Sequence, residues 1–180
     1  MKAIAFFAFL AVSVAQAGAA LDVIDGAFGL TLGNVPDMTK LQKRPNSNDA
    51  DDQYAFVPEN PYGPLTEYTT FLVSDHGPVY QIQAVGGFDS GKSCRTELDT
   101  LVGILTEKYG QPNRDLGSKL AGISRVSFNK GSRIITVGCT GVFGNHKLKL
   151  IYVDDALAKD AGRKSKAAPD AVEKRDSTGL

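Results

Sequence analysis

Beyond residue 66, apolar and polar positions follow two rhythms along the chain, one of period two and one of helical spacing. Glu67 to Val73 (EYTTFLV) is rich in β-branched and aromatic residues. Val79 to Val85 alternates, with Tyr80, Ile82 and Ala84 on one side and Gln81 and Gln83 on the other. Alternation of this kind marks an antiparallel strand buried on one face. Asp75-His76-Gly77 between the two runs is turn chemistry. Three more strands follow further on. Ile123 to Phe128 puts Val126 and Phe128 on one side and Arg125 and Ser127 on the other. Arg133 to Cys139 lines up Ile135, Val137 and Cys139, and Lys147 to Val153 turns Leu148, Leu150 and Tyr152 inward and Lys147 and Lys149 outward. Asn129 to Ser132 and Gly141 to Asn145 are the turns between them.

The helical rhythm occupies Ser93 to Tyr109, where Cys94, Leu98, Leu101, Val102, Leu105 and Tyr109 fall on one stripe. Ser90 or Ser93 supplies the N-cap, and Gly110 followed by Pro112 ends the helix. Ahead of residue 66 the pattern is weaker. Val23 to Leu32 reads as a short strand interrupted by glycines, and Asn34 to Gln42 as one or two helical turns. Residues 43–64 form a long Pro-rich and acidic loop that a short strand at Tyr54 to Val57 interrupts. A short helix is expected from Asp154 through Ala161. Residues 162–180 hold almost no large apolar side chains and are expected to stay disordered.

Met1 to Ala17 has the parts of a secretory leader: Lys2, an apolar run from Ala3 to Val14, and Ala15-Gln16-Ala17 as the cleavage pattern. The run is too short for a permanent membrane span. The expected organisation is therefore a leader at 1–17, one domain at 18–161 and a tail at 162–180. The mature domain of about 160 residues is expected in the periplasm or the secreted fraction.

Charge is balanced, with 20 basic and 20 acidic residues, whereas nucleic-acid binders carry a basic excess. Only two cysteines are present, Cys94 and Cys139, and in an oxidising compartment they read as one disulfide. Cys94 lies on the apolar stripe of the helix and Cys139 on the inward face of a strand. Packing the helix on the sheet brings them together. The bridge would close a loop of about 46 residues and stabilise the fold by roughly 4 kcal/mol. The fold class that follows is α+β in two layers: an antiparallel sheet of five or six strands, one main helix on one face, and a disulfide between the layers.

Several patterns are candidates for chemistry. Gly86 to Ser93 (GGFDSGKS) fits a phosphate-cradling loop, in which Gly91, Lys92 and Ser93 would hold an anion. That motif works in a parallel sheet with crossover helices, whereas these strands are joined by tight hairpins, and Cys94 follows it directly. The pattern is better explained as a strand-to-helix turn. Asn46, Asn48, Asp49, Asp51 and Asp52 offer hard oxygen ligands but lack the glycine and terminal glutamate of a calcium loop. His76 and His146 fall in turns without partners for a metal or a catalytic triad. No catalytic set, metal site or cofactor is expected.

Two surfaces remain as binding candidates. One is the polar sheet face of Gln81, Gln83, Arg125, Lys147 and Lys149. The other is the segment Phe56 to Pro64, where prolines limit the entropy lost on docking and Tyr62 offers amphipathic contact area. The expectation is an exported non-catalytic binding or accessory protein whose partner is another extracytoplasmic protein or an envelope component. The alternatives are an exported enzyme with a dispersed site and an anion-binding domain using residues 86–93.

Overall fold

The computed structural model describes residues 23–44, 52–115, 124–142 and 144–162. The expected leader, the acidic positions Asn46 to Asp51 and the expected tail from residue 163 lie outside the described residues.

Eight strands form one antiparallel sheet. In chain order they are β3 (Leu41–Lys43), β4 (Asp52–Phe56), β5 (Glu67–Leu72), β6 (Val79–Phe88), β7 (Arg114–Asp115), β8 (Ser124–Lys130), β9 (Arg133–Val142) and β10 (Asn145–Asp154). Their spatial order is β3-β4-β5-β6-β10-β9-β8-β7. The sheet exceeds the expected five or six strands because two very short edge strands, β3 and β7, extend it. Neither is long enough to show a period in sequence.

Helix α1 (Gly91–Tyr109) lies across β6, β10, β9 and β8 on one face. Ser90 caps it, accepting from the Ser93 N–H at 3.1 Å, and Gly110 at φ 84° ends it. Cys94, Leu98, Leu101, Leu105 and Tyr109 are buried along its inner stripe. They meet Ile82, Ala84, Phe128, Ile135, Val137, Leu148, Leu150 and Tyr152 of the sheet in one apolar core. The disulfide sits in that core. Cys94 and Cys139 are bonded with their Cα atoms 6.0 Å apart, and both are buried. A helix over 155–162 closes the described chain. Asp154 starts it, accepting from the Ala156 and Leu157 N–H groups, and also receives the Arg133 guanidinium.

Three expectations are corrected. Residues 23–32 do not enter the main sheet as one strand. They form a two-stranded hairpin, β1 (Gly26–Ala27) with β2 (Leu30–Thr31), because Phe28 and Gly29 at positive φ turn the chain back. Arg133 holds this hairpin by donating to the Ile24 and Leu32 carbonyls at 3.0 and 3.1 Å. Second, β6 continues through Gly86 and Gly87 to Phe88, so those glycines belong to the strand rather than to a turn. Third, Tyr80 does not share the face of Ile82 and Ala84. The register shifts between Phe71 and Leu72, and the Tyr80 ring lies 6.0 Å from that of Phe71. An extra residue in one strand redirects its side chain in this way.

Candidate functional site

The face of the sheet opposite α1 is built by strand alternation alone. Cross-strand pairing sets Glu67, Val85, Lys149, Gly138 and Arg125 in one row across β5, β6, β10, β9 and β8. The next row runs Thr69, Gln83, Ile151, Thr136 and Ser127, and Lys147 pairs with Thr140 on the other side. Adjacent strands lie about 4.8 Å apart, so Arg125 and Lys149 flank Gly138 at roughly 10 Å between their backbones.

Gly138 has no side chain to fill the space between them. A groove of about 320 Å³ results, lined by Gln81, Arg125, Thr136, Gly138, Thr140, Lys149, Ile151 and Val153. Arg125, Lys147 and Lys149 are exposed, and none has an ion-pair or hydrogen-bond partner among the described residues. Cations cluster here although the chain as a whole is neutral.

The structure therefore brings together five of the positions singled out in the sequence. Gln81, Arg125 and Lys149 line the groove, and Gln83 and Lys147 stand beside it on the same face. Gly138, Thr136, Thr140, Ile151 and Val153 were missed. The alternation that turns Ile135, Val137 and Cys139 inward also turns Thr136 and Gly138 outward, and that signal was available.

Tyr62 is not part of this cluster. Its hydroxyl donates to the Glu97 carboxylate of α1, and its N–H donates to the Tyr68 hydroxyl at 3.1 Å. Burial pushes the Tyr62 phenol up to about 12, with the Glu97 hydrogen bond second. Residues 57–64 thus form a strap tied to the helix-side layer.

At the start of α1, the Ser93 hydroxyl is within hydrogen-bond distance of the capping Ser90 hydroxyl, 2.9 Å away. Gly86 has a packing reason: a Cβ there would lie 2.0 Å from the Pro64 carbonyl oxygen. Gly91 lies against His146, which a Cβ would meet at 3.0 Å. Lys92 is exposed. Gly91, Lys92 and Ser93 follow an antiparallel strand, so the architecture of a nucleotide-binding loop is missing here.

A second cavity of about 230 Å³ lies between the β1–β2 hairpin and β4, lined in part by Phe28, Leu41, Phe56 and Val79. Its one cation, Lys40, is paired with Glu59 at 3.7 Å. Among the described residues no group of three or more His, Cys, Asp or Glu side chains is placed to hold a metal ion. No described helix is long and apolar enough to cross a membrane.

No family model matches the chain, and no curated protein or solved structure is similar to it at a significant level.

Proposed function

We propose that this chain is an exported, non-catalytic binding protein that takes an extracytoplasmic ligand on the open face of its sheet. Export is supported by the leader pattern of Met1 to Ala17 and by a disulfide of the kind that persists in oxidising compartments. The observation that carries the binding role is the convergence of Arg125, Lys147 and Lys149, unpaired among the described residues, around the Gly138 groove. Unpaired cations on one face of a neutral protein attract acidic ligands and orient them on approach. An envelope component or a protein with an acidic surface is the partner class this charge favours.

Lysine footprinting tests the proposal. The mature protein is acetylated with and without an extract of the extracytoplasmic compartment, and modification is read by mass spectrometry. Lys147 and Lys149 should be protected, while Lys92 and Lys108 on α1 should react as before. Protection at Lys92 or Lys40 in place of Lys147 and Lys149 would move the binding site elsewhere and overturn the proposal.

A further inference from the structure

We infer that the groove over Gly138 takes a small anionic amphiphile, an oxyanion head group carrying an aliphatic chain. The inference rests on the open face being the binding face and goes further by naming the ligand chemistry.

The groove is polarised along β10. At one end, Arg125 and Lys149 stand on either side of Gly138, with Thr140 beside them and Lys147 opposite Thr140. An oxyanion seated over Gly138 would meet cations from both sides, and hydrogen bonds between ionised partners are the strong ones. A side chain at residue 138 would occupy that seat. Even a Cβ would come within 2.9 Å of the Ser124 carbonyl oxygen and 3.4 Å of the Arg125 Cβ.

Toward the other end the lining changes character. Ile151 and Val153 succeed Lys149 on the same face of β10, and Thr136 opposes Ile151 across the strand pair. Ile151 and Val153 are only partly buried. Apolar surface left open beside a charge cluster gains most from a ligand that is itself charged at one end and apolar along its length. From Lys149 to Val153 the strand advances four residues, roughly 14 Å at about 3.4 Å per residue. The groove volume is at the lower end of small-molecule sites, roughly 300 to 1,000 Å³, which suits a single chain. Glu67 shares the cationic row but stands beyond Val85, on the far side of Lys149 from the groove.

Two head groups share this chemistry, carboxylate and phosphate, and calorimetry of the mature, disulfide-bonded protein separates them. Octanoate and octyl phosphate are titrated beside octanol, which lacks the charge, and inorganic phosphate, which lacks the chain. At least one anionic amphiphile should bind, and octanol and inorganic phosphate should each bind at least tenfold more weakly. Whichever head group binds more tightly identifies the source. Arg125→Gln and Lys149→Gln, both at exposed positions, should each weaken binding about tenfold or more without changing the melting temperature. Ile151→Ser should weaken the amphiphile while leaving any inorganic phosphate binding as it was.

Equal binding of octanol would overturn the head-group assignment, and equal binding of inorganic phosphate would overturn the chain assignment. Unchanged affinity in both charge variants would place the ligand elsewhere, and absence of binding by either amphiphile would remove the inference. If Lys147 and Lys149 remain protected by the extract while neither amphiphile binds, the open face stands as the binding face and only the ligand class falls.

Discussion

Tyr62 shows how much a single side chain contributes to holding the second layer of this protein. The strap of residues 57–64 makes few regular backbone bonds, so its position depends on the Tyr62 hydroxyl at Glu97, the Tyr62 N–H at Tyr68 and the Tyr68 hydroxyl at the Leu65 carbonyl. The phenol is the donor to Glu97, so that bond exists only while Tyr62 is protonated. Its folded-state value of about 12 lies above the ordinary tyrosine value of about 10. The contribution to stability is therefore whole below pH 10, shrinks as the pH rises from 10 to 12, and is gone above that. Tyr62→Phe should lower the unfolding free energy by about 1 kcal/mol at pH 8, since the pair is only partly buried. In denaturant melts the gap between wild type and variant should close across that window, and a gap that stays constant would show that the hydroxyl bond contributes nothing. In the sequence, Tyr62 reads as part of a docking element, whereas its hydroxyl is an anchor to the helix. Nothing in the segment reveals that it runs past Glu97, because that proximity depends on the fold of a helix residue 35 positions further along the chain.

At the scale of elements, α1 and β9 carry the argument. The helix was legible because its stripe, its Ser90 cap and its Gly110 stop all agree, and consistent local signals of this kind specify an element well. The inner faces of β8, β9 and β10, and of β6 from Ile82 onward, were legible for the same reason, since period two leaves each residue only two directions, whereas the register shift opposite Tyr80 broke that period. The disulfide followed from the two phases together. It joins positions 45 residues apart in the chain and lies within the apolar core, where Cys94 is fully buried. Replacing both cysteines by alanine should lower stability by about 4 kcal/mol in the chain-entropy model, measured by equilibrium unfolding with tryptophan-free probes such as far-ultraviolet circular dichroism. A loss below about 1 kcal/mol would mean that the unfolded chain is not constrained by the bridge as that model supposes. The elements that escaped the sequence did so for physical reasons. The hairpin at residues 26–31 is set by backbone angles at Phe28 and Gly29 and has no apolar period. β6 hides its last residues because Gly86 makes room for the Pro64 backbone and has no side chain to bury.

For the whole molecule, the two faces of one sheet divide the work. The inner face, α1 and the strap enclose the core, and the outer face gathers cations that the neutral total conceals. Gln81, Arg125 and Lys149 were recognisable as outward residues of their strands, but the groove itself was not, because it depends on the register that sets Gly138 of β9 between Arg125 of β8 and Lys149 of β10, and strand alternation alone does not give that register. Charge reversal or neutralisation there leaves the core untouched, which makes binding and folding separable in experiment. The most direct measurement is amide chemical-shift mapping by nuclear magnetic resonance during titration with octyl phosphate. Shifts should concentrate at Arg125, Thr136, Gly138, Thr140, Lys149 and Ile151 on the outer faces of β8, β9 and β10. Shifts confined instead to Phe28, Leu41 and Phe56, or to Gly91, Lys92 and Ser93 at the start of α1, would contradict a binding site on the open sheet face.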